Sequence, residues 1–208
     1  MDKEVVIGID QSYTRTGITV LKNKQVYRMK SLDFKECRNN TEKRLEVYTY
    51  IETLFKRLLK KEIENKNVII ITERIRLRSQ GFLSESYIKS TGALIATIID
   101  VAEIYGVPVY SVDTRSWKSQ IVGSSKPLDN PYGINPEKYR TILYLRDRGL
   151  LKYIAEEYKG KGKKGVINVK IDGKKVPCII NDDLADSYCI ALYGYLPKTK
   201  QKLKEEKF

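Results

Sequence analysis

The sequence predicts a mixed α/β domain, and three observations carry that expectation. The opening third of the chain reads as three consecutive strands. Two further apolar runs, at 67–72 and 107–112, alternate with long amphipathic stretches. The order strand, strand, strand, helix, strand, helix, strand belongs to a mixed sheet and not to an all-parallel one.

The elements follow in turn. Val5 to Ile9 is a continuous apolar run, as a strand buried on both faces requires. Thr16 to Leu21 alternates β-branched and small residues, Lys22-Asn23-Lys24 supplies a turn, and Gln25 to Leu32 continues as a third strand. Asn40 and Thr41 can cap a helix reaching about Ile63, with Leu45, Tyr48, Ile51, Phe55, Leu58 and Leu59 on one stripe. Asn67 to Thr72 is a fourth strand ending at Glu73. Ser84 can cap a helix ending near Gly106, and Val107 to Val112 is a fifth strand. Beyond it, Gly123 to Asn135 is dense in turn residues and Pro136 opens a helix to about Arg148. The run KGKGKK (159–164) and a hairpin turning at Asp172-Gly173 suggest a basic insertion over about 159–177. A helix over 182–196 closes the domain, which takes in residues 1–208 with a charged tail from about 198.

Composition narrows the chemistry. Histidine is absent, which excludes Ser-His-Asp and Cys-His triads and histidine-based zinc sites. Three scattered cysteines form neither a disulfide framework nor a CxxC site. The first residues lack the pattern of a signal peptide, and no apolar run spans a bilayer. Together these point to a cytoplasmic or other reducing compartment. With 39 Lys and Arg against 26 Asp and Glu, the net charge of +13 favours a polyanionic partner.

Against that basic background, a few acids stand where acids are costly. Asp10 ends one buried strand and Glu73 ends another. Asp183 and Asp186, three apart, share a helix face. Strand carboxyl ends form the usual ligand crevice of an α/β sheet. If the first and fourth strands are neighbours, these four carboxylates meet there and repel one another unless protonated or neutralised by a cation. Oxygen donors without His or Cys suit Mg²⁺ or Mn²⁺. The bland alternative makes Asp182 and Asp183 ordinary helix-start residues and Asp10 a turn residue.

GIDQSYTRTGITV (8–20), ITER (71–74) and NDDLADSYCIAL (181–192) resemble, in order and spacing, three motifs of the RuvC-type Holliday junction resolvases; DDLADS is similar to the mitochondrial and poxviral branches. VDTRSWKSQIVG (112–123) resembles the segment bearing that family's basic residue, here Lys118. The resemblance covers roughly residues 4–123 and 178–196. It implies an RNase H-like fold, a homodimer, and metal-dependent cleavage of four-way DNA junctions by paired symmetrical nicks. Asp10, Glu73, Asp183 and Asp186 would be metal ligands for two Mg²⁺ or Mn²⁺ ions, with Lys118 beside the phosphate. Many bacterial members carry a His near the third carboxylate, where this chain has Asp183. Lys118 can equally be a plain surface lysine.

Arg74, Arg76 and Arg78 recur at alternate positions just past Glu73 and, in an extended segment, would project to one side to grip phosphates. A solvated edge is the alternative. Lys174 and Lys175 at the hairpin tip could follow a DNA arm, or belong to a plain solubilising loop. On the helix beginning at Ser84, Ile88, Ile95, Ile99 and Ala102 form one apolar face and Leu94, Ile98, Val101 and Tyr105 a second. The second face is expected to be covered by another subunit. The competing readings are a related nuclease for other branched or flap DNA, a non-catalytic junction binder, and an actin-like ATPase. The ATPase lacks its later phosphate-binding segment here, so no nucleotide cofactor is expected.

Overall fold

The structure, a computed structural model, describes residues 4–75, 85–123, 135–160 and 165–196. Its centre is a five-stranded sheet in the order β3-β2-β1-β4-β5. The strands are β1 (Val5–Gln11), β2 (Arg15–Lys22), β3 (Gln25–Asp33), β4 (Val68–Glu73) and β5 (Val109–Val112). β1, β2 and β3 are antiparallel, while β4 and β5 run parallel to β1. Asn23 and Lys24 both take positive φ, the two-residue turn whose twist matches that of the flanking strands.

Each face of the sheet carries a core. Val5, Ile7 and Ile9 of β1 face α1 (Asn40–Thr53) and α3 (Glu85–Ile104). Val6 faces the other way, with Ile71, toward α7 (Asp182–Tyr193) and Trp117. The period of two along a strand therefore directs Gly8 and Asp10 to the α7 side. α4 (Thr114–Trp117), α5 (Pro136–Arg146) and α6 (Leu151–Ile154) lie on that side as well. A second sheet, β6-β8-β7, joins Ala155–Glu157, Lys174–Ile180 and Ile167–Ile171 there. The β7–β8 turn is at Asp172 and Gly173, both at positive φ.

Several sequence expectations need correction. The helix expected to reach Ile63 is broken: α1 passes into a π-helical segment, Leu54–Leu58, before the short α2 (Lys60–Glu64). Its cap is Asn39, which accepts from the Glu42 backbone N–H at 3.0 Å, one residue before the expected pair. The buried stripe runs through Val47, Ile51, Leu54, Phe55 and Leu59 at regular helical spacing, and Leu45, off that stripe, is 63% exposed. On α3, Leu94, Ile98 and Val101 are buried within the same chain. α1 lies along α3, linked by Ser90 to Asn40 and Arg44 to Thr97, so this face has no need of a second subunit. Ser84, Arg76, Arg78, 161–164 of the basic run and the tail from 198 lie outside the described residues. Among the described residues no helix is long and apolar enough to cross a membrane.

Candidate active site

The site begins with strand register. Ile9 pairs with Thr72 across the parallel β1–β4 ladder, so one residue further Asp10 and Glu73 stand side by side at the strands' carboxyl ends. Gln11 fastens the two strands there, its Nε2 donating to the Glu73 backbone carbonyl at 2.5 Å.

α7 then descends on the same face, and two glycines allow it to come close. A Cβ at Gly8 would lie 2.2 Å from the Ser187 carbonyl oxygen, and one at Gly17 would lie 2.1 Å from that of Asp183. Gly17 is also the cross-strand partner of Asp10. Thr19 and Ser187 share a buried hydrogen bond of 2.8 Å that fixes the helix along its length. The helix is capped by Asn181, whose side chain accepts from the Leu184 backbone N–H at 3.1 Å. Asp182, a candidate cap by sequence, instead forms an ion pair with Lys138 of α5.

This seating crowds the carboxylates. Burial, then the charges of Asp186, Glu73 and Asp183, raise the Asp10 pKa well above the usual carboxylate range. Asp186 is pushed up to about 7, chiefly by burial, and Lys118 and Lys138 pull it back. Asp183 is raised by burial and relieved by Arg15 and Lys138. Lys118 begins a π-helical segment, Lys118–Val122, that continues α4, and its charge acts on both Asp10 and Asp186. π-Helical turns recur at functional sites because they re-aim one side chain within a helix.

Sequence-identified Asp10, Glu73, Asp183, Asp186 and Lys118 thus share one electrostatic neighbourhood. Arg74 is exposed but turns back, donating from Nε and Nη2 to Ser111 Oγ, each at 3.3 Å. Lys174 and Lys175 are exposed at the start of β8. Two cations escaped the sequence reading. Lys138 and Arg15 are single basic residues without a motif around them, and only the folded chain brings them to the acids.

The donor set suits a hard divalent cation. Every candidate ligand is a carboxylate, and Glu73 Oε1 is buried without a hydrogen-bond donor, an oxygen a cation would satisfy. Among the described residues, however, no three acidic or thiol side chains surround a single point.

No family model and no curated protein matches the chain. Solved structures do. T. thermophilus RuvC in complex with Holliday junction substrate superposes with a TM-score of 0.59 at 14% identity, over 99% of each chain. A second Thermus thermophilus RuvC structure gives 0.55 at 16%, over 98% of this chain and 99% of that one. The yeast mitochondrial Holliday junction resolvase Ydc2 gives 0.51 at 15%, over 97% and 85%. The near-complete overlap shows that the chain shares the fold of these RuvC structures.

Proposed function

We propose that the protein is a Holliday junction resolvase, an endonuclease that cuts four-way DNA junctions by paired symmetrical nicks. The observation carrying this reading is the crowding of Asp10, Glu73 and Asp186 with Lys118 at the strand ends of a fold shared with RuvC.

Asp10, Glu73, Asp183 and Asp186 would hold two divalent ions, Mg²⁺ or Mn²⁺. Such ions supply an activated water, charge neutralisation at phosphorus and stabilisation of the leaving 3′ oxygen. Asp10, on the central strand, is within the electrostatic reach of Asp186, Glu73 and Asp183. Lys118 would place a positive charge beside the scissile phosphate, and its charge partly offsets the upward shift that burial imposes on Asp10 and Asp186. Arg74, with Arg76 and Arg78 beyond it, and Lys174 and Lys175 on the hairpin would grip flanking phosphates. A homodimer provides the second site that a symmetrical pair of nicks demands. The chain acts as one nuclease domain with the basic hairpin as an insertion. Three free cysteines suit a reducing compartment that contains DNA.

The test is nicking of four-way, three-way, flap and linear DNA with Mg²⁺, alongside gel-shift affinity. Paired nicks in the four-way junction are expected, at a rate reduced a hundredfold or more in Asp10→Asn and Asp186→Asn with junction binding retained. Equal cutting of flap DNA would favour a more general branched-DNA nuclease. Binding without cutting by the unaltered protein would favour a non-catalytic junction binder.

A further inference from the structure

Arg15 stands on β2 facing α7 and reaches three carboxylates on three elements. Its Nη1 donates to Glu156 Oε1 of β6 at 3.3 Å, its Nη2 is 3.6 Å from Asp33 Oδ2 of β3, and its Nε is 3.8 Å from Asp183 Oδ2 of α7. The Arg15 side chain is only 23% exposed. Glu156 Oε1 also accepts from Asn181 Nδ2 at 2.7 Å, and Asn181 caps α7. One carboxylate oxygen therefore joins the guanidinium to the helix start that carries Asp183. The Asp183 backbone is fixed independently, because it lies over Gly17, two residues along β2 from Arg15.

With its backbone fixed, Asp183 is left with one freedom, the direction of its carboxylate. Two cations contend for it: Arg15 on the β2 side, and Lys138, which is already engaged with Asp182 on the same helical turn. A phosphate would have to displace three carboxylates to reach Arg15, so this arginine is ill placed to bind DNA.

We propose that Arg15, braced by Glu156, is a positioning residue that holds the Asp183 carboxylate on the β2 side and away from Lys138, and so sets the affinity of the acidic site for divalent cations. The proposal rests on the nuclease reading for its consequence but not for its measurement. Outer-shell partners of metal ligands typically change metal affinity or activity by about 10–100-fold when removed.

The experiment measures Mn²⁺ binding by electron paramagnetic resonance, without DNA, for the unaltered protein, Arg15→Ala, Arg15→Lys and Glu156→Gln. Melting temperature, nicking rate and junction affinity are recorded on the same samples. Arg15→Ala is expected to weaken Mn²⁺ binding at least tenfold, and its nicking rate should recover as Mn²⁺ is raised. Junction affinity should stay within about twofold. Arg15→Lys should restore part of the Mn²⁺ affinity, and Glu156→Gln should show a smaller loss in the same direction. Unchanged Mn²⁺ binding in Arg15→Ala overturns the proposal. Together with weaker junction binding and a shallower salt slope, that result would make Arg15 a phosphate contact. With a lowered melting temperature alone, it would make the residue merely structural. Absence of Mn²⁺ binding by the unaltered protein also overturns it. Mn²⁺ binding that responds to Arg15 in a protein unable to nick any branched DNA would defeat the nuclease reading and leave the positioning role standing.

Discussion

Asp186 shows at the scale of one residue how the site is charged with unfavourable energy. Its pKa is raised from the ordinary 3.8 to about 7, burial being the main cause, and Asp10 moves in the same direction. For an acid with a raised pKa, the folded chain binds more protons than the unfolded one between those two values. Without metal, the stabilising contribution of this group is therefore fully present below the unfolded pKa and is lost as pH rises toward 7. Melting followed from pH 4.5 to 8 in chelator should trace that decline. Asp186→Asn should flatten it, and added Mg²⁺ should raise the melting temperature more at pH 7.5 than at pH 5. An Asp186→Asn curve parallel to the unaltered one would assign the pH dependence to other groups. At the helix start, Asn181→Ala removes both the α7 cap and the Glu156 contact. It is expected to cost at least about 1 kcal/mol in denaturant melts, whereas Asp182→Asn should leave cleavage intact.

At the scale of elements, the approach of α7 to the sheet decides whether the acids meet. Gly17→Ala puts a methyl against the Asp183 backbone, and backbone cannot yield as a flexible side chain can. The helix must lift or the strand must bend, at a cost of roughly 1–3 kcal/mol, and Asp183 moves with it. Denaturant melts and nicking assays should both register the change. Gly92 of α3 has open space around its Cβ position, so Gly92→Ala should stabilise by up to about 1 kcal/mol with cleavage unchanged. Such contrasts explain what was legible in the chain. β1 and β4 were legible because burial on both faces leaves an unbroken apolar run, and their terminal acids stood out against it. In α1, Leu45 and Val47 are both apolar and flank one turn, so periodicity alone does not decide which of the two joins the buried stripe. Asn181 was passed over as a cap because two aspartates directly follow it. Lys138 and Arg15 carry no local signal, since their role depends on helix and strand meeting across the fold.

For the whole molecule the governing quantity is charge. With a net charge of +13, the proposed binding to junction DNA should be a steep function of salt, with log affinity falling about 0.9 per log salt for each phosphate contact on duplex arms. Replacing Lys174 and Lys175 together by Ala should flatten that slope by up to about two units while leaving Mn²⁺ binding alone. Slopes from fluorescence anisotropy across a salt series would measure this, and an unchanged slope would mean that the hairpin faces away from DNA. Light scattering at micromolar concentration tests the dimer. Leu94, Ile98 and Val101 of α3 are already buried within the chain, so Ile98→Ala should lower the melting temperature without changing the mass measured there.

The position of α7 in the chain has a consequence for synthesis. The five strands of the main sheet are complete once Val112 has emerged, yet Asp183 and Asp186 follow only after α4, α5, α6 and the second sheet. Until α7 docks, the nascent chain exposes the sheet face bearing Gly8 and Gly17, and only Asp10 and Glu73 are at its edge. A ribosome that stalls before Asn181 would release a basic protein lacking half of the carboxylate set. The order of translation thus completes the proposed site only after the scaffold that must aim it has been made.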